Sequence, residues 1–391
     1  MKICVLTKRQ YMAKDLLDDR FGRFRELPLE LAKLGHEVIG VCLSYRPRME
    51  GWENDYTFDS SSKVSWRSIN LTRFGIPALR RYLAEVSEIL KGFSPDIIWS
   101  CSDAFHAIFG ASLAKRLQVK CVIDLYDNFE AFSASQIPGV LPLFRRAVRN
   151  ADGVTVFSRR LADHVVAAYG LLNPVVTIEN GVRKDLFQPQ DRDACRHHLG
   201  LPQQATIIGV AGALYRSRGI ETLFEAFRSL SAQNDQVHLA LAGARERGLR
   251  IPTGNRIHDL KELPHEAVPI FVNALDLAVV CYRQSAQGEF SLPQKAYEIM
   301  ACRVPLIAAA VGTMNELLRD YPVCLYEPDS PTSLVGAVQR QLGNRMLTDH
   351  KIPSWADSAR ELEEVFTKIM SSNSYGSQLD CGIEAGLLNT L

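Results

Sequence analysis

The sequence predicts an α/β protein made of two Rossmann-like doubly wound parallel-sheet domains facing a cleft. Three observations predict it. Short apolar runs alternate with helical stretches along the chain. Those runs are continuously apolar instead of alternating, as strands buried on both faces are. The rhythm pauses once, near Asn180, and a second series then begins. Strand, helix, strand, helix is the pattern of a parallel sheet covered by helices.

In order, "KICVLT" from Lys2 reads as a strand, "RFRELPLELAKLGH" as a helix and "EVIGVCL" as the next strand. The helix "PALRRYLAEVSEILKGF" leads to "DIIWSC", then "HAIFGASLAKRL" to "KCVIDLY", and "LPLFRRAVRNA" to "GVTVFS" and the helix "RRLADHVVAAYG". "ENGVRKDLFQPQDRD", polar and holding Asn-Gly and a Pro, reads as turn and linker. The second series has strands at "ATIIGVAG", "VHLALAG", "LDLAVVCY" and "VPLIAAA". Its helices are "IETLFEAFRSLSA", the short "AVPIFVNA", "PQKAYEIMAC" and "TMNELLRD". The expected division is therefore 1–185 and 186–352, with a helix over 353–371 crossing back to the first domain and a loosely ordered tail over 372–391.

Composition narrows the function. Hydrophobic content of 47% and charged content of 23% are those of a soluble globular chain. No run approaches the eighteen apolar residues of a membrane span, and "KICVLT" follows Met1 with no secretion signal, so a cytoplasmic location is expected. The nine cysteines stand as singles, which suits buried thiols in a reducing compartment. Cys195, His197 and His198 have no second cluster at zinc-like spacing, so no metal is expected there. A net charge of +1 argues against nucleic acid as a partner. Residues 1–190 carry 26 Lys+Arg against 21 Asp+Glu, a charge of +5, and a basic first half can meet an anionic surface.

In doubly wound folds ligands bind beyond the carboxyl ends of the strands, so the loops that follow strands matter. "GALYRSRG" (Gly212 to Gly219) offers Arg216, Arg218 and the N–H groups of a helix start, which suit a phosphate or diphosphate, or else are two solvated arginines. It holds neither a dinucleotide fingerprint nor a P-loop. Lys295 and Glu298, three apart in "PQKAYEIMAC", share a helix face, with the Glu after the Lys in the poorer order for stabilising the helix. Lys can meet phosphate and Glu can accept two hydroxyls, as a ribose offers. Gly312 and Thr313 open a helix directly after a strand, a second place for an anion or a plain turn. In the first half, Lys8, Arg9, Lys14 and Asp15 follow the first strand, Asp103 and His106 another, and Asp127 and Glu130 a third.

Together these stretches resemble the family 4 glycosyltransferases of the GT-B fold. The resemblance runs from Met1 to about Met370 through "LAKLGHEV", "SPDIIW", "GVTVFS", "IENGVRKDLFQP", "VAGALYRSRGIETLFEAF", "NALDLAVV" and "SLPQKAYEIMACRVPLIA". It implies transfer of a sugar, with retention, from a nucleotide diphosphate donor (UDP- or GDP-linked) on the second domain to a glycan or lipid-linked acceptor on the first. The commonest role of this branch is surface polysaccharide biosynthesis. It implies no cofactor and no metal. Arg218 takes the place of the family's diphosphate Lys, Glu298 that of the ribose-binding Glu, and Glu316 that of the Glu in its Gly-Gly-x-x-Glu loop, with Gly312 and Thr313 where the two glycines sit. Ser291 and Lys295 belong to the same donor segment, and Asp127 falls where many members place a His near the donor sugar. Catalytic roles are thus implied for Asp127, Arg218 and Lys295, and donor binding for Arg216, Arg218, Ser291, Lys295, Glu298, Gly312, Thr313 and Glu316.

The chain departs from the pattern at Phe290, where the family has its first Glu, and at Ala213, where it has an Arg for which Arg216 is the expected substitute; Arg183 and Arg303 stand for a linker Asp and a Gly. "DRD" at Asp191 resembles a metal motif but reads as the acidic start of a helix. "IPGVLPLFRRAVRNA", with Arg145, Arg146 and Arg149, reads either as a packed helix or as one resting on an anionic membrane, which would make the protein peripheral. Two rivals share the fold: a UDP-sugar epimerase and a non-catalytic nucleotide-sugar-binding subunit.

Overall fold

A computed structural model describes residues 1–372 except 12–13, 58–59, 74–75, 172, 174 and 291–293. The chain forms two compact units, Met1–Glu179 with the chain from Trp355 onward, and Asn180–Ser354.

The first unit holds the strands β1 (Lys2–Lys8), β4 (Glu37–Ser44), β5 (Gly51–Tyr56), β6 (Lys63–Asn70), β9 (Ile97–Ser100), β10 (Lys120–Leu125), β11 (Gly153–Val156) and β12 (Val175–Thr177). Two small hairpins, β2 (Gln10–Tyr11) with β3 (Lys14–Asp15) and β7 (Thr72–Arg73) with β8 (Ile76–Pro77), lie outside the main sheet. Its order is β12-β11-β10-β9-β1-β4-β6-β5. Every neighbouring pair is parallel except β5 with β6. That exception corrects the expectation of a wholly parallel sheet. β6, "KVSWRSIN", alternates buried and half-exposed residues, a period-2 pattern that a search for continuous apolar runs passes over. The central strands do read as continuous runs: Ile3, Cys4, Val5 and Leu6 are fully buried, as are Ile97, Ile98 and Trp99.

Helices α1 (Arg23–Lys33), α2 (Leu79–Phe93), α3 (Ala104–Leu117), α4 (Val140–Asn150) and α5 (Arg159–Tyr169) accompany these strands. A buried Arg23 locks α1 to the sheet: its guanidinium donates to both Asp124 oxygens at 2.8 Å and to the Ile178 carbonyl at 2.8 Å. Thr155 donates to the same carboxylate at 2.6 Å. Every charge there is matched, the condition under which a buried pair is tolerated.

The second unit holds β13 (Thr206–Ala211), β14 (Val237–Ala242), β15 (Ile257–Asp259), β16 (Leu277–Val280), β17 (Leu306–Ala309) and β18 (Leu325–Tyr326) in the order β15-β14-β13-β16-β17-β18, all parallel. The helices are α6 (Arg192–Leu199), α7 (Ile220–Gln233), α8 (Val268–Asn273), α9 (Ala286–Phe290), α10 (Gln294–Ala301), α11 (Gly312–Leu317) and α12 (Pro331–Gly343). Asp191 caps α6, accepting from the Ala194 N–H at 2.7 Å, the ordinary work of an N-cap acid.

The chain passes between units after Glu179, a few residues before the expected 185. The linker is tied into the second unit: the Val182 N–H donates to the Pro353 carbonyl at 2.9 Å, and Asn273 holds the Gln188 carbonyl and the Gln190 N–H. The last helix, α13 (Trp355–Ser371), belongs to the first unit and buries Trp355, Ala359, Leu362, Phe366 and Ile369, one face of a 3.6-residue period. Trp99 meets Phe366 edge-on at 6.1 Å. The tail expected over 372–391 lies outside the described residues from 373.

Candidate functional site

The chain winds outward from β13 in both directions, to β14 on one side and β16 on the other. The carboxyl ends of β13 and β16 therefore flank a topological switch point, where open α/β sheets leave a crevice. The loop after β13 runs from Gly212 through a 3-10 turn, Arg216–Arg218, to Gly219 at the head of α7. Gly243, at the end of β14, crosses this loop so closely that a Cβ on it would stand 1.7 Å from the Gly212 carbonyl oxygen. Its φ of 142° belongs to glycine as well.

Into this crevice the structure brings Arg218, Lys295 and Glu298. Both cations rest on one ring. Arg218 lies 5.5 Å from the Tyr282 centroid and donates to its hydroxyl at 3.3 Å, and Lys295 Nζ lies 5.7 Å from the same centroid. The sequence reading missed Tyr282 because it ends an apolar strand, "LDLAVVCY", and looks like part of it. Among the described residues Lys295 makes no hydrogen bond or ion pair, and no carboxylate pairs with Arg218. Burial, and then the positive Arg218, pull the Lys295 ammonium down to about 8. Burial pushes the Glu298 carboxyl up to about 7, against a 3.2 Å hydrogen bond from Gln294 and the pull of Lys295. Two half-buried cations on an aromatic face, beside a carboxyl poised near neutrality, have the chemistry to receive an anion with hydroxyls next to it.

Arg216 is elsewhere. It pairs with Glu221 at 3.3 Å and Glu246 at 3.6 Å, and donates to the Gly248 carbonyl at 2.7 Å. Gly312 is also used differently from the anion-facing turn expected of it. Its φ is 48°, and a Cβ there would lie 2.1 Å from the Glu289 carbonyl oxygen, so glycine makes room for α9. The helix it opens has six residues, with Glu316 exposed upon it and Thr313 Oγ1 buried without a partner among the described residues. Ser291 lies outside the described residues.

The first unit has its own switch point, between β1 and β9. Lys8 ends β1, its Nζ 5.2 Å from the Phe132 ring and 5.8 Å from that of Tyr126. Burial lowers its ammonium against the pull of Asp103 and Asp127. Asp103 caps α3 through the His106 N–H at 2.9 Å and takes His106 Nδ1 at 2.7 Å and the Tyr45 hydroxyl at 3.1 Å. Burial alone would raise Asp103, but His106 and Lys8 hold it at about 2. Asp127 follows β10 and accepts from the Asn128 N–H at 2.8 Å. Arg9 and Asp15 are spent on each other, 2.7 Å apart and buried. Arg145 grips Glu130 at 2.8 and 3.0 Å and covers the Tyr169 ring, whereas Arg146 and Arg149 of the same helix are exposed.

Two family models match the chain, Glycosyltransferase Family 4 over residues 23–186 and Glycosyl transferases group 1 over residues 205–344. A Bacillus subtilis (strain 168) protein named as a teichuronic acid biosynthesis glycosyltransferase, TuaC, is 27% identical over 354 residues, covering 82% of this chain and 84% of its own. A D-inositol 3-phosphate glycosyltransferase of Geodermatophilus obscurus is 30% identical over 209 residues, 49% of this chain and 44% of its own. Among solved structures, sucrose-phosphate synthase of Thermosynechococcus elongatus shares the fold with a TM-score of 0.68 at 20% identity, over 94% of this chain and 96% of that one. Anabaena HepE, solved in complex with UDP, does so with 0.66 at 17% identity, over 95% and 97%. One family model falls on each unit, and the fold agrees along almost the whole length. The chain belongs to the family 4 glycosyltransferases of the two-domain GT-B fold.

Proposed function

We propose that this glycosyltransferase takes its sugar, with retention, from a nucleoside diphosphate donor seated on the second unit. The observation that carries the reading is the pair of half-buried cations, Lys295 and Arg218, on the Tyr282 face with no carboxylate partner among the described residues. A diphosphate supplies the missing negative charge, and Glu298, near neutrality, accepts the ribose hydroxyls. HepE has been solved with UDP and with UDP-glucose, which supports a nucleotide sugar for this chain too.

In the reaction the bond between the anomeric carbon and the donor phosphate oxygen breaks, and a bond to the acceptor oxygen forms on the same face. The acceptor's hydroxyl proton passes to an oxygen of the departing diphosphate. Lys295 and Arg218 stabilise the charge that develops there, so the reading assigns that work to side chains and no step to a metal. The acceptor, a glycan or a lipid-linked glycan of surface polysaccharide assembly, is assigned to the carboxyl ends of β1, β9 and β10. Asp127 there, and the Tyr45 hydroxyl that donates to Asp103, offer acceptors for hydroxyl groups. Among the described residues no helix is long and apolar enough to cross a membrane. Arg146 and Arg149, exposed on α4, would give peripheral contact with an anionic leaflet on the cytoplasmic side.

The test is a screen of UDP-, GDP- and dTDP-sugars for slow release of nucleoside diphosphate without acceptor. One donor hydrolysed by the wild-type chain, and about 10²-fold more slowly by Lys295→Met, supports the reading. Sugar interconversion, or binding without turnover even with acceptor extracts, overturns it.

A further inference from the structure

A pocket of about 610 Å³ opens in the second unit at the opposite end of α10 from Lys295. That is the size of a small-molecule site. Its floor is apolar, with Phe187, Met300 and Val304 all buried. Its walls include the two segments next to where the chain crosses between units, Lys184–Gln188 and Leu347–Ile352. Those crossings are already tied by the Val182 to Pro353 hydrogen bond.

Three polar groups in the lining lack partners. The side chains of Lys184 and Arg303 make no hydrogen bond or ion pair among the described residues, and both are exposed. His350 Nε2 is buried with no hydrogen-bond partner among them. Arg303 also stands where the backbone disfavours it. The end of α10 is a Schellman motif, with the Val304 N–H on the Ile299 carbonyl at 3.3 Å and the Arg303 N–H on the Met300 carbonyl at 2.9 Å. Arg303 fills its left-handed position at φ 54°, where glycine would do the same work without strain. A strained residue whose side chain holds nothing among the described residues points to something that the side chain holds from outside.

We propose that this pocket binds an amphipathic anion, its apolar body on Phe187, Met300 and Val304 and its head between Lys184 and Arg303. Asp349, also in the lining, leaves the two cations one charge in excess, which suits a single anionic head. The site is separate from the donor crevice, and its test does not depend on the donor reading.

The experiment titrates the full chain with decanoate and with decyl phosphate below their micelle concentrations, following heat, with decanol and acetate as controls. Saturable one-to-one binding of either anion, at least about tenfold tighter than either control, is expected. Each charge-assisted contact is of a size to change affinity by about tenfold. Arg303→Gly should therefore weaken binding by about tenfold without lowering Tm, and Lys184→Ala should do the same. No saturable binding, decanol binding as tightly as the anions, or unchanged affinity in both variants would overturn the site.

Discussion

Each unit carries a half-buried lysine on aromatic rings at its sheet's switch point, yet the two lysines live in different electrostatic settings. Lys8 lies within the field of two carboxylates, Asp103 and Asp127, which raise its ammonium while burial lowers it. Burial and then Arg218, its strongest charged neighbour, bring Lys295 down to about 8 against the weaker opposing pull of Cys281 and Glu298. The first setting is balanced from within the protein. In the second the strongest neighbour is another cation, a setting that under the proposed function a bound anion would complete. One topology thus offers two settings, and under the proposed function the first would suit neutral hydroxyls and the second an anion.

The comparison is broken most sharply by exchanging each lysine for methionine. Lys295→Met should cut transfer about 10²–10³-fold, the usual cost of losing one preorganised donor, and should leave Tm unchanged or higher, since an unpaired buried charge disappears. Lys8→Met should instead lower stability by about 1–3 kcal/mol, because Asp103 and Asp127 lose their shared cation. Denaturant unfolding of both variants decides it. Equal losses of stability would mean that the two settings do not differ.

Next in size is pH. The empty site holds Lys295 near 8 and a bound diphosphate favours its charged form, so binding takes up a proton above that value. Donor affinity should fall by up to about tenfold per unit above about pH 8. In Lys295→Met the slope should vanish. Stability of the empty protein runs the other way, because the unfolded chain holds more protons on this lysine between about 8 and the usual 10.5. Affinity that does not change between pH 8 and 9.5 would show that Lys295 does not meet the diphosphate.

Glu298→Gln comes third. The variant keeps the shape but cannot offer two carboxylate acceptors, and donor affinity should weaken by about tenfold, read by calorimetry. If the nucleotide alone binds the variant as well as the wild type, Glu298 is not on the ribose.

Much of this was legible in the sequence, for physical reasons. Strands buried on both faces announce themselves as continuous apolar runs, which is why "KICVLT", "DIIWSC" and "ATIIGVAG" gave two parallel sheets. β5 and β6 escaped because an edge strand and its neighbour bury one face and read as mixed. Lys295 and Glu298 were legible because helix spacing places residues three apart on one side. Tyr282 was not, since nothing in the chain marks an aromatic at a strand end as a platform. The steric role of Gly312 was hidden for a related reason. Its need for room against Glu289 comes from a segment more than twenty residues earlier, and no local pattern carries that information.

The smallest expected effect makes the finest distinction. Arg216 and Arg218 lie two residues apart in one 3-10 turn, and by sequence either suits a phosphate. The turn sends them opposite ways. Arg218 goes onto Tyr282 with no counter-ion among the described residues, and Arg216 to Glu221, Glu246 and the Gly248 carbonyl, with 38% of its side chain exposed. Exposed pairs of that kind contribute about 0.2–1 kcal/mol, and to folding. Arg216→Ala should therefore change donor affinity by less than about twofold while Arg218→Ala weakens it by about tenfold or more. Measured side by side on one donor, a loss of affinity in Arg216→Ala equal to that in Arg218→Ala would place both arginines on the diphosphate. The pairing of Arg216 with its two glutamates would then be a property of the empty site alone.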